Sequence, residues 1–139
     1  MKRQYTNIRL VVYWFVTLGW SGLVLALLLR PRARSLTQDR SFDTFINTFF
    51  SYDFRVYNYF EGSVHVLLFV ILTALWNLVL SRYVAQPLAL RLTIIIALLV
   101  AFGTEIGQFF VNRGSLLFDL IANVLGISLT CMWIIRNNK

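Results

Sequence analysis

The chain has 139 residues, of which 58% are hydrophobic and 14% are charged, and its formal net charge is +7. A mean hydropathy of +0.69 leaves too little polar surface to cover a soluble core, which excludes an ordinary soluble domain and favours a membrane protein. The Lys and Arg residues flank apolar runs, so we expect membrane lipids as partners and no nucleic acid. The length suits a single domain over residues 1–139.

The first predicted span covers residues 10–29, a run without charge that is long enough to cross a bilayer. An arginine cluster containing Pro31 follows, and the proline helps to end the helix. The run is longer than the apolar part of a signal peptide, and no small-residue cleavage site follows it. We therefore interpret it as a retained helix and not as a cleaved signal.

The stretch from Arg34 to Gly62 is predicted to be a loop that contains one short helix. Its apolar residues recur at helical spacing with polar residues between them, namely Phe42, Phe45, Ile46, Phe49 and Phe50. This pattern predicts an amphipathic helix over residues 41–51, which is too short to span and lies in the membrane interface. The aromatic residues between Tyr52 and Phe60 match the aromatic belt at headgroup depth.

Three further spans are predicted over residues 63–80, 92–110 and 116–135, so the fold class is all-α, a four-transmembrane-helix bundle. A connector over residues 81–91 joins the second span to the third. An even number of spans places both termini on one side of the membrane. The basic tail and connector favour cytoplasmic termini, whereas the arginine cluster after the first span argues against them.

Polar side chains gather at one end of this bundle. His65 begins the second span, and Glu105 and Gln108 share one face near the end of the third. The turn and the start of the fourth span add Arg113, Asp119 and Asn123. Because successive spans alternate in direction, all of these residues lie at one membrane face. Polar groups are costly in lipid, so the cluster either holds the hairpin together or binds a ligand.

Three members of the cluster are candidates for acid–base chemistry. His65 is a candidate general base because imidazole exchanges protons near neutral pH; the alternative is a capping or hydrogen-bonded histidine. Glu105 is a candidate acid or base, and the alternative is an internal salt bridge that fixes the hairpin turn. Asp119 could assist the base, or with Asn123 could bind a cation or position a nucleophile, but a carboxylate near a helix N-terminus also stabilises that terminus.

The other members are candidate ligand-binding groups. Gln108 and Asn123 could bind ligand hydroxyls or amides, or could join helices by ordinary hydrogen bonds. Arg113 suits a phosphate or carboxylate, unless it neutralises a carboxylate of the cluster. We expect no metal and no cofactor, because the chain has one histidine and its single cysteine, Cys131, lies in an apolar run.

The cluster resembles a motif of the VanZ-like family of bacterial membrane proteins. That motif has E-x-x-Q-F followed by Arg, Asp, Asn and Gly, and its positions here are Glu105, Gln108, Phe109, Arg113, Asp119, Asn123 and Gly126, with His65 heading the preceding span. The resemblance implies a multi-helix protein of the bacterial plasma (inner) membrane. The family takes its name from a protein that gives low-level resistance to the antibiotic teicoplanin.

The resemblance further implies a site at the extracytoplasmic face, near cell-wall precursors, with cytoplasmic termini. We therefore expect a VanZ-like protein that binds an amphiphilic cell-envelope component: a lipid-linked glycan, an anionic lipid or a glycopeptide-like molecule. The expected ligand-binding residues are His65, Glu105, Gln108, Arg113, Asp119 and Asn123. Two alternatives stay open: a membrane-embedded transferase or hydrolase acting on a lipid headgroup, and a structural subunit of a larger assembly with a membrane protein partner.

Overall fold

The computed structural model describes residues 2–29, 54–110 and 117–138. Within these ranges the chain forms four helices, α1 (Lys2–Leu28), α2 (Phe54–Leu80), α3 (Gln86–Phe110) and α4 (Leu117–Asn137). The predicted all-α, four-helix fold class is confirmed. The predicted amphipathic helix over residues 41–51 lies outside the described residues.

Each of the four described helices is long and apolar enough to cross a membrane. Their membrane-spanning parts are Ile8–Leu28, Glu61–Leu80, Gln86–Gln108 and Leu117–Asn137. Large apolar side chains on all four helices point away from the bundle, including Phe15, Leu67, Leu99 and Trp133. In water such a surface would be unfavourable, whereas lipid chains solvate it well. The chain is therefore a multi-pass membrane protein with an outer surface suited to lipid contact.

Two predicted loops are shorter in the structure because the helices continue beyond the apolar runs. α2 begins at Phe54, so the last part of the predicted loop, up to Gly62, is helical. α3 begins at Gln86, so the second half of the predicted 81–91 connector is helical as well. An α-helix satisfies its own backbone hydrogen bonds and need not end at the edge of the bilayer. Pro87 is tolerated in the first turn of α3, where its missing N–H costs no hydrogen bond.

α2 lies at the centre of the described bundle and packs against each of the other helices. Its Phe69 and Leu72 are fully buried in the apolar core. The other helices contribute Val24, Ala97, Ala101 and Ile127 to that core. α1 packs mainly on α2, and the indole Nε1 of Trp20 donates a hydrogen bond to the backbone oxygen of Leu68 at 3.2 Å.

α2 and α4 pack most closely, and Gly126 allows this approach. A Cβ atom at Gly126 would lie 2.5 Å from the backbone oxygen of Val66 and 3.0 Å from the Cβ of Phe69. One turn further on, the hydroxyl of Thr130 donates to the backbone oxygen of Val70 at 3.2 Å. Because the two helices are this close, short polar side chains one turn before Gly126 can reach across from α4 to α2.

Candidate functional site

Three side chains, linked in series by hydrogen bonds, join α2, α4 and α3. The ring Nδ1 of His65 lies 2.9 Å from the amide Oδ1 of Asn123. The amide Nδ2 of Asn123 in turn donates to Oε1 of Glu105 over 3.4 Å. His65 and Asn123 are buried, and Glu105 is half-buried. We call these three side chains the inner layer of the site.

The inner layer determines which nitrogen of His65 carries the proton. An ionised carboxylate only accepts hydrogen bonds, so with Glu105 ionised the donor side of the Asn123 amide faces it. The acceptor side, Oδ1, then faces His65, and the Nδ1 of His65 must donate to it. In the neutral ring the lone pair is therefore on Nε2, which points to the other part of the site.

An outer layer lies one helical turn nearer the end of the bundle. It consists of Glu61, Gln108 and Asp119, which precede or follow the inner residues by three or four positions on their helices. The Nε2 of His65 lies 3.8 Å from Oδ2 of Asp119. One ligating atom from each of Glu61, His65 and Asp119 lies within 4.8 Å of the others. His65 is 1% exposed and Asp119 is 3% exposed, so both are shielded from solvent within the bundle.

Two side chains at this end of the bundle hold buried polar atoms without hydrogen-bond partners among the described residues. These atoms are the Nε2 of His65 and the Nε2 and Oε1 of Gln108. The Gln108 side chain is 0% exposed. A buried polar group that makes no hydrogen bond costs about 1–3 kcal/mol. The unused hydrogen-bonding capacity of the described site therefore lies at the Nε2 of His65 and at the Gln108 amide.

The helix arrangement explains why these residues meet. α2 and α4 both begin at this end of the bundle, and α3 ends there. Asp119 lies in the first turn of α4, where the helix dipole stabilises a carboxylate. His65 and Asn123 face each other because Gly126 brings the two helices together one turn deeper in the bundle.

The structure brings together four of the residues that the sequence predicts for the site: His65, Glu105, Asp119 and Asn123. Gln108 is buried near the same end of α3, and Arg113 lies outside the described residues. Glu61 belongs to the site but was not predicted from the sequence. Glu61 could have been recognised by its position four residues before His65, because this spacing places both residues on one face of a helix.

A second polar contact lies at the opposite end of the bundle and is separate from the site. There the amide Nε2 of Gln86 donates to Oδ1 of Asn77 at 3.0 Å. Asn77 lies three turns of α2 away from His65, and the two residues are therefore near opposite ends of the bundle. This makes Asn77 a matched control for substitutions in the site.

No family model, curated protein or solved structure matches this chain. The resemblance to the VanZ-like family therefore stays a prediction that rests on the motif.

Proposed function

We propose that the protein binds the polar headgroup of an amphiphilic cell-envelope component, as a VanZ-like protein of a bacterial inner membrane. The observation that carries the proposal is the Gln108 amide, which is fully buried and makes no hydrogen bond to any described residue. A hydroxyl, amide or phosphate oxygen of a bound headgroup would supply the missing partner. The proposed site faces the extracytoplasmic side.

The position of Gln108 favours an amphiphile over a water-soluble ligand. Gln108 lies two residues before the end of α3 at Phe110, within a segment apolar enough to cross a membrane, and headgroups are found near the ends of such segments. Its neighbour Ile106 faces outward, towards lipid. An amphiphile can leave its tail in the bilayer while its headgroup reaches the cluster, so it needs no aqueous channel through the bundle.

The polar groups of the described site suit a hydroxyl-rich headgroup. Carboxylate oxygens accept hydrogen bonds from sugar hydroxyls, and the site holds Glu61, Glu105 and Asp119. An amide such as Gln108 both donates to and accepts from the same groups. Arg113 follows closely in the sequence and is assigned to a phosphate or carboxylate of the ligand. These preferences fit a lipid-linked glycan best, with an anionic lipid or a glycopeptide-like molecule as related ligands.

A second candidate function, a membrane-embedded transferase or hydrolase, is favoured by the orientation of His65. Its Nδ1 is held by Asn123, so its Nε2 could take a proton from a hydroxyl nucleophile. Asp119, 3.8 Å from that nitrogen, would stabilise the resulting imidazolium. Glu105 would act one step further away, through Asn123.

The test is native mass spectrometry of the purified protein and of Gln108→Leu, followed by identification of the bound lipids. Leucine has nearly the same size but cannot bond to a headgroup. We expect a glycan-bearing or anionic lipid to co-purify with the wild type and to be at least about tenfold depleted from Gln108→Leu, because two hydrogen bonds worth about 1 kcal/mol each are lost. Asn77→Leu, at the other end of α2, should keep the lipid.

Three outcomes separate the candidate functions. Equal amounts of the same bulk lipids in all variants, with normal protein abundance, would contradict the binding proposal. A chemically altered lipid that appears with the wild type and disappears in Glu105→Gln and Asp119→Asn would favour the enzyme. A loss of folded protein in those same variants, with no specific lipid in the wild type, would favour a structural subunit whose cluster joins its helices.

A further inference from the structure

We infer that Glu61, His65 and Asp119 bind a divalent transition-metal ion at the outer layer of the site. From the sequence we expected no metal, because one histidine supplies too few ligands. The structure adds two carboxylates to that histidine, from a different turn of α2 and from α4. Metal binding at this set needs no amphiphile, so the inference goes beyond the proposed function.

The spacing of the ligand atoms suits a metal ion. All three lie within 4.8 Å of one another, and the Nε2 of His65 lies 3.8 Å from Oδ2 of Asp119. Two atoms that bind the same Zn²⁺ at 2.0–2.1 Å in a tetrahedral site are about 3.3 Å apart. The three ligand atoms are therefore within about 1.5 Å of the separation that a shared ion requires.

The hydrogen bonding of His65 provides an independent argument. A histidine that binds a metal through one ring nitrogen almost always donates the other N–H to an oxygen of the protein, which fixes the tautomer and the ring orientation. His65 does this through its Nδ1 and the Oδ1 of Asn123, 2.9 Å away. The opposite atom, Nε2, is buried, has no hydrogen-bond partner among the described residues, and lies beside Asp119.

The ligand types also favour a cation between these groups. Carboxylate oxygens and an imidazole nitrogen are ligands that divalent transition metals take in proteins. The single nitrogen ligand favours Zn²⁺, Mn²⁺ or Fe²⁺ over Mg²⁺ and Ca²⁺, which prefer oxygen ligands only. Three protein ligands leave at least one coordination position for water or for an oxygen of a bound molecule.

The experiment is Co²⁺ titration of chelator-treated protein in lipid-free detergent, followed by absorption spectroscopy and metal analysis. The purification tag must contain no histidine, so that His65 remains the only imidazole in the protein. We expect about one Co²⁺ per chain, with visible bands that shift when the nitrogen ligand is removed. Zn²⁺ should displace the Co²⁺ and bleach those bands.

Variants assign the ligands. His65→Gln, Asp119→Asn and Glu61→Gln should each weaken Co²⁺ binding by more than roughly 100-fold or change the bands. Glu105→Gln keeps all three ligands but loosens the support of Asn123, so its bands should persist while affinity falls roughly 10–100-fold. Asn77→Leu should bind like the wild type.

The inference would be overturned if His65→Gln and Asp119→Asn bound one Co²⁺ per chain as tightly as the wild type. It would also be overturned if the wild type bound no Co²⁺. Should His65→Gln fail to fold, Glu61→Gln carries the test, because Glu61 is only half-buried. Lipid is absent throughout, so a negative result leaves the lipid-binding test of Gln108→Leu unaffected.

Discussion

Asn123 is the residue on which the geometry of the site depends most. Its amide accepts a hydrogen bond from His65 through one atom and donates to Glu105 through the other. Aspartate would lose the donor, and leucine would lose both functions. Through these two bonds a residue on α4 determines which ring nitrogen on α2 is protonated.

We expect Asn123→Leu to lower the free energy of unfolding by about 1–3 kcal/mol, because the buried Nδ1–H of His65 loses its acceptor. Unfolding by SDS in mixed micelles, followed by circular dichroism, measures this change. Asn77→Leu is the control: the partner that it loses, Gln86, is only half-buried. Equal losses in the two variants would contradict a special role for the inner layer.

Helical spacing and hydropathy are enough to predict His65, Glu105, Asp119 and Asn123 as one cluster, since they require only that spans alternate in direction. Glu61 could not be found in this way. Hydropathy locates the part of a helix that lies in lipid, and a charged residue at its edge is assigned to the loop. Only the continuation of α2 back to Phe54 shows that Glu61 shares a helix face with His65.

At the scale of the helices, the close packing of α2 and α4 aligns the site. Gly126 has no side chain, and the α2 backbone lies where its Cβ would be. This contact cannot be predicted from hydropathy, which shows how apolar a segment is but not which helix its buried face contacts, since lipid is as apolar as a neighbouring helix. The motif contains this glycine, but the motif alone does not say which helix approaches it.

We expect Gly126→Ala to lower the free energy of unfolding by about 1–3 kcal/mol, since the added methyl group forces α4 away from Val66 and Phe69. The same shift should lengthen the contact between His65 and Asn123. SDS unfolding measures the first effect, and Co²⁺ titration measures the second.

Gly103→Ala on α3 is the matched control for this substitution. No atom lies within 4 Å of the place where its Cβ would be, so that variant should unfold like the wild type. If the two alanine variants were equally stable, close packing at Gly126 would not be what aligns the site.

The molecule as a whole has two different ends. One end holds the buried inner and outer layers, whereas the other holds the turn between α2 and α3 and an aromatic contact of α1. There the indole Nε1 of Trp14 donates to the hydroxyl of Tyr83 at 2.7 Å, and its ring packs edge-on against Trp76. The charge distribution of the sequence does not decide which end faces the cytoplasm, because basic residues flank both.

We predict that the end with the site faces away from the cytoplasm. Single cysteines at Ser115, between α3 and α4 in the sequence, and at Ser81, in the turn between α2 and α3, test this in a Cys131→Ser background. A membrane-impermeant thiol reagent added to intact cells should label Ser115→Cys, and it should label Ser81→Cys only after permeabilisation. The reverse pattern would place the site at the cytoplasmic side.

The hydrogen-bonded chain from His65 through Asn123 to Glu105 also has a consequence for biosynthesis. Its three residues leave the ribosome in the order of α2, α3 and α4, and the amide that joins the other two comes last. Until α4 is inserted, the imidazole of His65 and the carboxylate of Glu105 lie in membrane helices without the amide that connects them. Burying these polar groups in lipid costs free energy, because hydrocarbon offers them no hydrogen bonds. The nascent helices therefore gain from staying beside the insertion machinery until the last one arrives, and a chain truncated before Leu117 cannot complete its own polar centre.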